Sequence, residues 1–482
     1  MKRYICIGVC MVWYVLLCAP SFAFFGKENP RAAHEDFQNL PKVASHLKKR
    51  YTDDLGGLME RRYIRVLTAF NKTNFFISNG ALYGFEYALL KGYEKFLNKG
   101  IKRSELRVVL EYIPVARDEM IPMLNEGSGD IVAAGLTITP ERREEVDFTI
   151  PYLDNINEVV VVNDRITDIT RLEDLSGRDV FVRESSSYYE SLVALNKGFL
   201  QESRPPVNIV KADETLETED ILELVNSGAI AITISDSHIA DIWEDFFEHI
   251  NILRNLKVRE GARIAWMVRK NNPEIRQSMN RFIKTHKKGT LLGNIYFKRY
   301  YKQNKWIKNP LNEQERQKLA TYVDLFKEYA PQYGFDWRLI MAQAYQESGL
   351  DHSKKSRSGA TGIMQIKPST AADQSVGIAD VHDVKNNIRA GIKYLAHLRD
   401  HYFQDPNLSA RDRIRFVLAA YNAGPSRIKA LRKSAQQMGL DPNRWFRNVE
   451  MAALKYIGQE TVQYVSNINK YYIIYTIGLD EI

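Results

Sequence analysis

The chain has 482 residues, too many for one hydrophobic core, so two or three domains are expected. A composition of 45% hydrophobic and 26% charged residues is that of a folded protein, which excludes a disordered chain and an integral membrane bundle. The formal charge of +8 suits an acidic polymer, and no basic run interleaved with aromatic residues reads as a nucleic-acid module, so no nucleic-acid partner is expected.

At the start of the chain Met1-Lys2-Arg3 precedes an uncharged apolar stretch that ends Ser21-Phe22-Ala23. Small residues at that end predict a signal peptide over 1–23, cut after Ala23. The stretch is also long enough to span a bilayer, so an uncleaved anchor is the alternative. Cys18 follows Leu17, which is too bulky for a lipoprotein signal. All three cysteines lie in this segment, and a mature chain without thiols needs no disulfide in an oxidising compartment. Residues 24–58 are polar and basic without a clear period and read as a tether.

From 59 to 303 short apolar runs alternate with helical stretches. Runs at 63–68, 106–112, 131–134, 158–162, 179–183, 230–234 and 263–268 read as buried strands, with helices between them such as 85–97 and 217–226. This alternation predicts an α/β domain built on parallel sheets.

After Asn309-Pro310 the β-branched runs disappear. Amphipathic segments at 313–329, 337–347, 384–401, 410–422 and 461–475, punctuated by proline and glycine, predict an all-α domain over 304–482. Asp336 is placed to cap the helix that opens at Trp337. Glu347 falls at the end of that helix beside apolar neighbours, where loss of water disfavours its charge and raises its pKa. A buried carboxyl that keeps its proton near neutral pH suits general acid catalysis.

Three clusters follow Tyr345-Gln346-Glu347-Ser348-Gly349: Gly362-Ile363-Met364-Gln365, Ala420-Tyr421-Asn422-Ala423-Gly424 and Glu460-Thr461-Val462-Gln463-Tyr464-Val465. Taken singly, they read as a tight turn, a helix stop and helix packing. Taken in order, the four motifs resemble the family 1 lytic transglycosylases, whose soluble-lysozyme-like domain cuts peptidoglycan. The resemblance covers roughly the last third of the chain. It implies Glu347 as the catalytic residue, with Ser348, Gln365, Tyr421 and Asn422 along the sugar groove and the Tyr464 hydroxyl near Glu347.

Glycoside hydrolases usually use two carboxyls. Apart from Asp351, in the loop after the helix, no second acid accompanies the Gly362, Tyr421 or Tyr464 clusters. One carboxyl suffices if the nucleophile is the substrate's own C6 hydroxyl, which closes on C1 to give a 1,6-anhydro end. Such a lyase needs no cofactor and no metal. The rival expectations are a hydrolytic muramidase and a sensor whose lysozyme-like domain is inactive.

In the front domain, Gly84-Phe85-Glu86, Gly129-Asp130-Ile131, the run Gly135 to Arg142, Asp147-Phe148-Thr149-Ile150-Pro151-Tyr152 and Leu172 to Gly177 resemble the solute-binding family 3 amino-acid-binding proteins of the periplasm. The resemblance implies two α/β lobes with a ligand between them. By it Arg142 and Thr137 grip an α-carboxylate and Asp236 pairs an α-ammonium. The segment 70–83 lacks that family's aromatic-proline pattern, which leaves open whether the ligand is an amino acid or a muropeptide. Together the two halves imply a multidomain wall enzyme in the periplasm, peripherally attached to the outer membrane. Its substrate would be peptidoglycan glycan strands, and its front domain would sense a ligand.

Overall fold

The computed structural model describes residues 49–78, 81–301 and 313–478. The expected signal segment, residues 24–48 of the expected tether and the expected junction at 303/304 lie outside the described residues. The end of that tether is folded. Helix α1 (Leu55–Arg61) is capped by Asp54, whose side chain accepts from Leu55 N, and Leu58 is buried. Its short apolar content was masked by the surrounding charges.

The strands of the front domain are β1 (Tyr63–Thr68), β2 (Phe76–Ser78), β3 (Ala81–Tyr83), β4 (Val109–Pro114), β5 (Ile131–Thr137), β6 (Asp147–Phe148), β7 (Leu153–Asn163), β8 (Asp179–Arg183), β9 (Asn208–Ala212), β10 (Ile232–Asp236) and β11 (Ile250–Val268). Three of its helices matter below: α2 (Phe85–Leu97), α3 (Pro140–Glu145) and α4 (Thr218–Ser227). The main sheet runs β10-β7-β11-β5-β1-β4, with β6 paired to β11.

The α/β class holds, but the expectation of parallel sheets needs correction. β1 is parallel to β4 and β5, and β8 is parallel to β9. The β11 pairings with β5 and β7, and that of β7 with β10, are antiparallel. β11 is a 19-residue strand with several register shifts against β7. Its Arg254, Lys257, Arg259, Glu260 and Arg263 hide it from a search for apolar runs, so only its last six residues were legible.

Two cores result. One gathers Ile64, Val66, Leu89, Tyr93, Ile131, Trp266 and Phe282; the other gathers Val180, Val182, Leu192, Ile232 and Ile234. β7 serves both, because successive strand residues point to opposite faces. Val159 and Val161 enter the first core while Val160 and Val162 enter the second.

The rear domain is helical among the described residues, apart from isolated bridges Lys355–Thr361 and Thr361–Ile366. Its main helices are α5 (Glu313–Tyr329), α6 (Trp337–Ser348), α7 (Val384–Tyr402), α8 (Ala410–Ala423), α9 (Pro425–Gln437), α10 (Glu450–Tyr456) and α11 (Gln459–Gly478). α6 is the central helix, burying every residue from Leu339 to Tyr345.

The two domains share one apolar cluster, in which Leu67, Ile113, Leu216 and Ile221 join the rear-domain residues. Polar ties cross the same seam. Lys470 of α11 donates to Phe70 O at 3.0 Å and lies 3.5 Å from Asp220 of α4. Asn469 Nδ2 donates to Thr215 Oγ1 at 3.3 Å, and Arg447 pairs with Asp118 and Glu119.

Candidate functional site

Asp336 caps α6 by accepting from Arg338 N at 2.9 Å, and Tyr472 of α11 donates to its other oxygen at 2.9 Å. The helix ends at Gly349, whose φ of 69° is a conformation glycine adopts without steric cost. Glu347 is therefore held within the last turn of a buried helix. Loss of water pushes its carboxyl up to about 7, against the Tyr464 hydroxyl and the Lys354 charge, which pull it down. Tyr464 Oη donates to Glu347 Oε1 at 2.6 Å, and Lys354 Nζ donates to the Glu347 carbonyl at 2.5 Å.

The Gly362–Gln365 loop lies against this helix end. Ser348 is buried, and its hydroxyl faces Ile363 O at 2.8 Å and Ala344 O at 3.1 Å. That geometry ties the loop to α6. Gly362 has φ 80°, and a Cβ there would sit 2.2 Å from Asn387 Nδ2. Asn387, fully buried on α7, bonds Thr361 O, Val381 O and Met364 N. Gln365 is half-buried, its amide donating to Lys354 O and Gly362 O.

From α8, the Tyr421 hydroxyl donates to Met364 O at 2.8 Å, and the Glu347 charge helps burial hold its ionisation far up. Asn422 is exposed, and its Oδ1 accepts from Thr461 at 2.7 Å. Glu347, Ser348, Tyr421, Tyr464 and the Gln365 loop thus gather around one helix end, while Asn422 is tied to Thr461 of α11. Asp351 instead faces solvent, its Oδ1 bound to Ser353. No second carboxylate is among the groups that shift Glu347. Asn387 and Gln343 escaped sequence reading, because an amide on a helix face carries no pattern of its own.

Thr137, Arg142 and Asp236 line one cleft of the front domain, with Arg117, Arg183, Tyr188, Thr218, Glu219 and His238. Thr139 caps α3 and so turns Arg142 inward, where Nη1 donates to Thr137 O and Nη2 to Ser185 O, each at 2.8 Å. Burial, and then the nearby Glu158, push Asp236 up to about 7. Its Oδ1 has no hydrogen-bond partner among the described residues. Arg117 grips Glu217 through Nε and Nη2, the latter at 2.7 Å. Arg117 and Arg183 went unremarked in the sequence because each is followed directly by an acidic residue and reads as part of a solvated charged turn. Among the described residues no cluster of histidine, cysteine, aspartate and glutamate fits a metal ion.

Residues 64–303 match the family model of bacterial extracellular solute-binding proteins, family 3, and residues 324–442 match that of the transglycosylase SLT domain. A membrane-bound lytic murein transglycosylase F of Desulfosudis oleivorans is 32% identical over 441 residues, covering 88% of this chain and 92% of that protein. The chain belongs to the membrane-bound lytic murein transglycosylase F family. A relative of the same name from Pseudomonas fluorescens is 28% identical over 431 residues, covering 86% of this chain and 84% of that protein. One from Stutzerimonas stutzeri is 28% identical over 442 residues, covering 88% and 86%. In this family member Tyr464 lies beyond the matched SLT span, yet the fold returns it to Glu347.

Proposed function

We propose that this chain is a peptidoglycan lytic transglycosylase that cleaves the MurNAc–GlcNAc β-1,4 bond and leaves 1,6-anhydromuramoyl ends. The observation that carries the reading is a single half-buried carboxyl, Glu347, raised to about 7 and bonded to Tyr464. Protonated, Glu347 gives its proton to the glycosidic oxygen as the bond to C1 breaks. As a carboxylate it then takes the proton of the muramoyl C6 hydroxyl, whose oxygen closes on C1. The proton returns to Glu347 and no water is consumed. The attacking group is already tethered to the reacting carbon, which supplies much of the entropy of the step.

Around that exchange, Gln365, Tyr421 and Asn422 are assigned to the glycan groove, and Tyr464 to holding Glu347. Ser348 is assigned to the groove through the loop that its hydroxyl ties down. The proposed catalytic domain spans 304–482, and the proposed sensing domain spans 59–303.

The front cleft is proposed to bind an amino acid or muropeptide, with Arg142 and Thr137 on its carboxylate and Asp236 on its ammonium. Control of lysis is then proposed to pass from α4 to α11. Thr218 and Glu219 of α4 line the cleft, Asp220 of α4 meets Lys470 of α11, and Tyr464 stands six residues before Lys470. The envelope is the compartment that fits murein as substrate. Periplasmic placement with peripheral attachment to the outer membrane is the finer proposal, and no described helix is long and apolar enough to cross a membrane.

Digestion of purified sacculi tests the reaction. The account expects muropeptides one water lighter than hydrolysis products, and products of full hydrolytic mass would refute it.

A further inference from the structure

Gln343 lies on α6 one helical turn before Glu347, so the two side chains share a face. It is fully buried among Ile340, Met341 and Ala344. Neither its Oε1 nor its Nε2 has a hydrogen-bond partner among the described residues. An unpartnered buried amide destabilises the fold, and an apolar side chain would avoid that cost. What it adjoins is the hydroxyl of Tyr464, the group that donates to Glu347.

We propose that Gln343 is a positioning residue for the lytic reaction: its carboxamide orients the Tyr464 hydroxyl so that the proton points at Glu347 Oε1. The proposal rests on Glu347 being the acid and base. Its polarity follows from geometry: the Tyr464 hydroxyl already gives its one proton to Glu347 Oε1, so its oxygen can only accept from the amide. Gln343 holds the Tyr464 ionisation down, as an N–H aimed at the phenolic oxygen does, while burial and the Glu347 charge drive it up. An N–H on that oxygen leaves the phenolic proton for Glu347. It also strengthens the Tyr464 bond by polarisation, most of all when Glu347 has become a carboxylate. A contact of this kind can tighten in that charged state.

The other groups facing this pair are Lys354, from the loop after α6, and Tyr421, from α8. Lys354 is exposed and bonds the Glu347 carbonyl. Tyr421 is committed to Met364 O.

The test is Gln343→Leu in the full chain, with Gln343→Met as a second variant, each also made on a Tyr464→Phe background. Release of anhydromuropeptides from sacculi is followed across pH. The expected result is a kcat lower by roughly threefold to tenfold, the worth of one neutral hydrogen bond. KM is expected to stay unchanged, the alkaline limb to move to higher pH, and the melting temperature not to fall. On the Tyr464→Phe background neither substitution is expected to have a further effect. An equal loss on both backgrounds, or an unshifted alkaline limb, would overturn the proposal. Failure of the underlying reading is distinguishable, because it appears in the parent enzyme as lysis surviving Glu347→Gln.

Discussion

Tyr464 donates its hydroxyl proton to Glu347 across 117 residues of chain, at 2.6 Å. The bond joins the last turn of α6 to the second turn of α11, the helix that also meets the front domain through Asn469 and Lys470. One contact therefore links the reacting carboxyl to the helix on which the sensing domain rests.

Replacing the acid is the first consequence. Glu347→Gln keeps the shape and removes the proton, so lysis of sacculi should fall roughly a hundredfold to ten-thousandfold, the usual contribution of a general acid or base. The variant should remain folded by circular dichroism.

The same substitution should change how stability depends on pH. Glu347 binds its proton more tightly in the fold than in the unfolded chain, because burial raises it from 4.5 to about 7. Between those values the native state holds more proton, so stability falls as pH rises through that window, by up to about 3 kcal/mol. Glu347→Gln should flatten this fall. Melting temperatures of both proteins from pH 4 to 8 provide the check.

Gly362→Ala should be destabilising and inactivating together. The left-handed backbone alone costs an alanine about 1–2 kcal/mol. The added Cβ would also meet Asn387 Nδ2 at 2.2 Å and displace the amide that organises the loop. Thermal melting and lytic rate should drop in parallel.

The front cleft gives a separate prediction. Arg142→Lys loses the planar fork that grips a carboxylate, so affinity should fall roughly tenfold to a hundredfold. Calorimetry with a panel of amino acids and muropeptides measures it. Lysis without ligand should be unchanged.

Lys470→Met should separate sensing from lysis. Lys470 joins α11 to Phe70 O and Asp220 and does not itself line the front cleft. Heat of ligand binding and basal lysis should persist, while the effect of ligand on the lytic rate should shrink toward none.

The sequence was most readable where function forces local signatures. Strands 63–68 and 179–183 emerge with the observed bounds, because β-branched and aromatic residues dominate each short run. Glu347, Tyr421 and Tyr464 are found by cluster order, and the fold brings them to one helix end. β11 was missed over most of its length because irregularly spaced charges break up its apolar residues. Parallel pairing was inferred from strand and helix alternation, which does not encode the direction in which a long strand returns. Ser348 announces itself in the motif, but its bond to Ile363 O depends on a loop 15 residues away. Asn387, Gln343 and Arg117 act through partners far along the chain, so neighbouring residues carry no trace of their roles.

The central claim is that the sugar's own C6 oxygen, not water, closes the break at C1. Digestion of sacculi in water enriched in oxygen-18, with mass analysis of the new muramoyl ends, tests it most directly. The account predicts 1,6-anhydro ends that carry no heavy oxygen. Heavy oxygen at the new muramoyl C1 would contradict it.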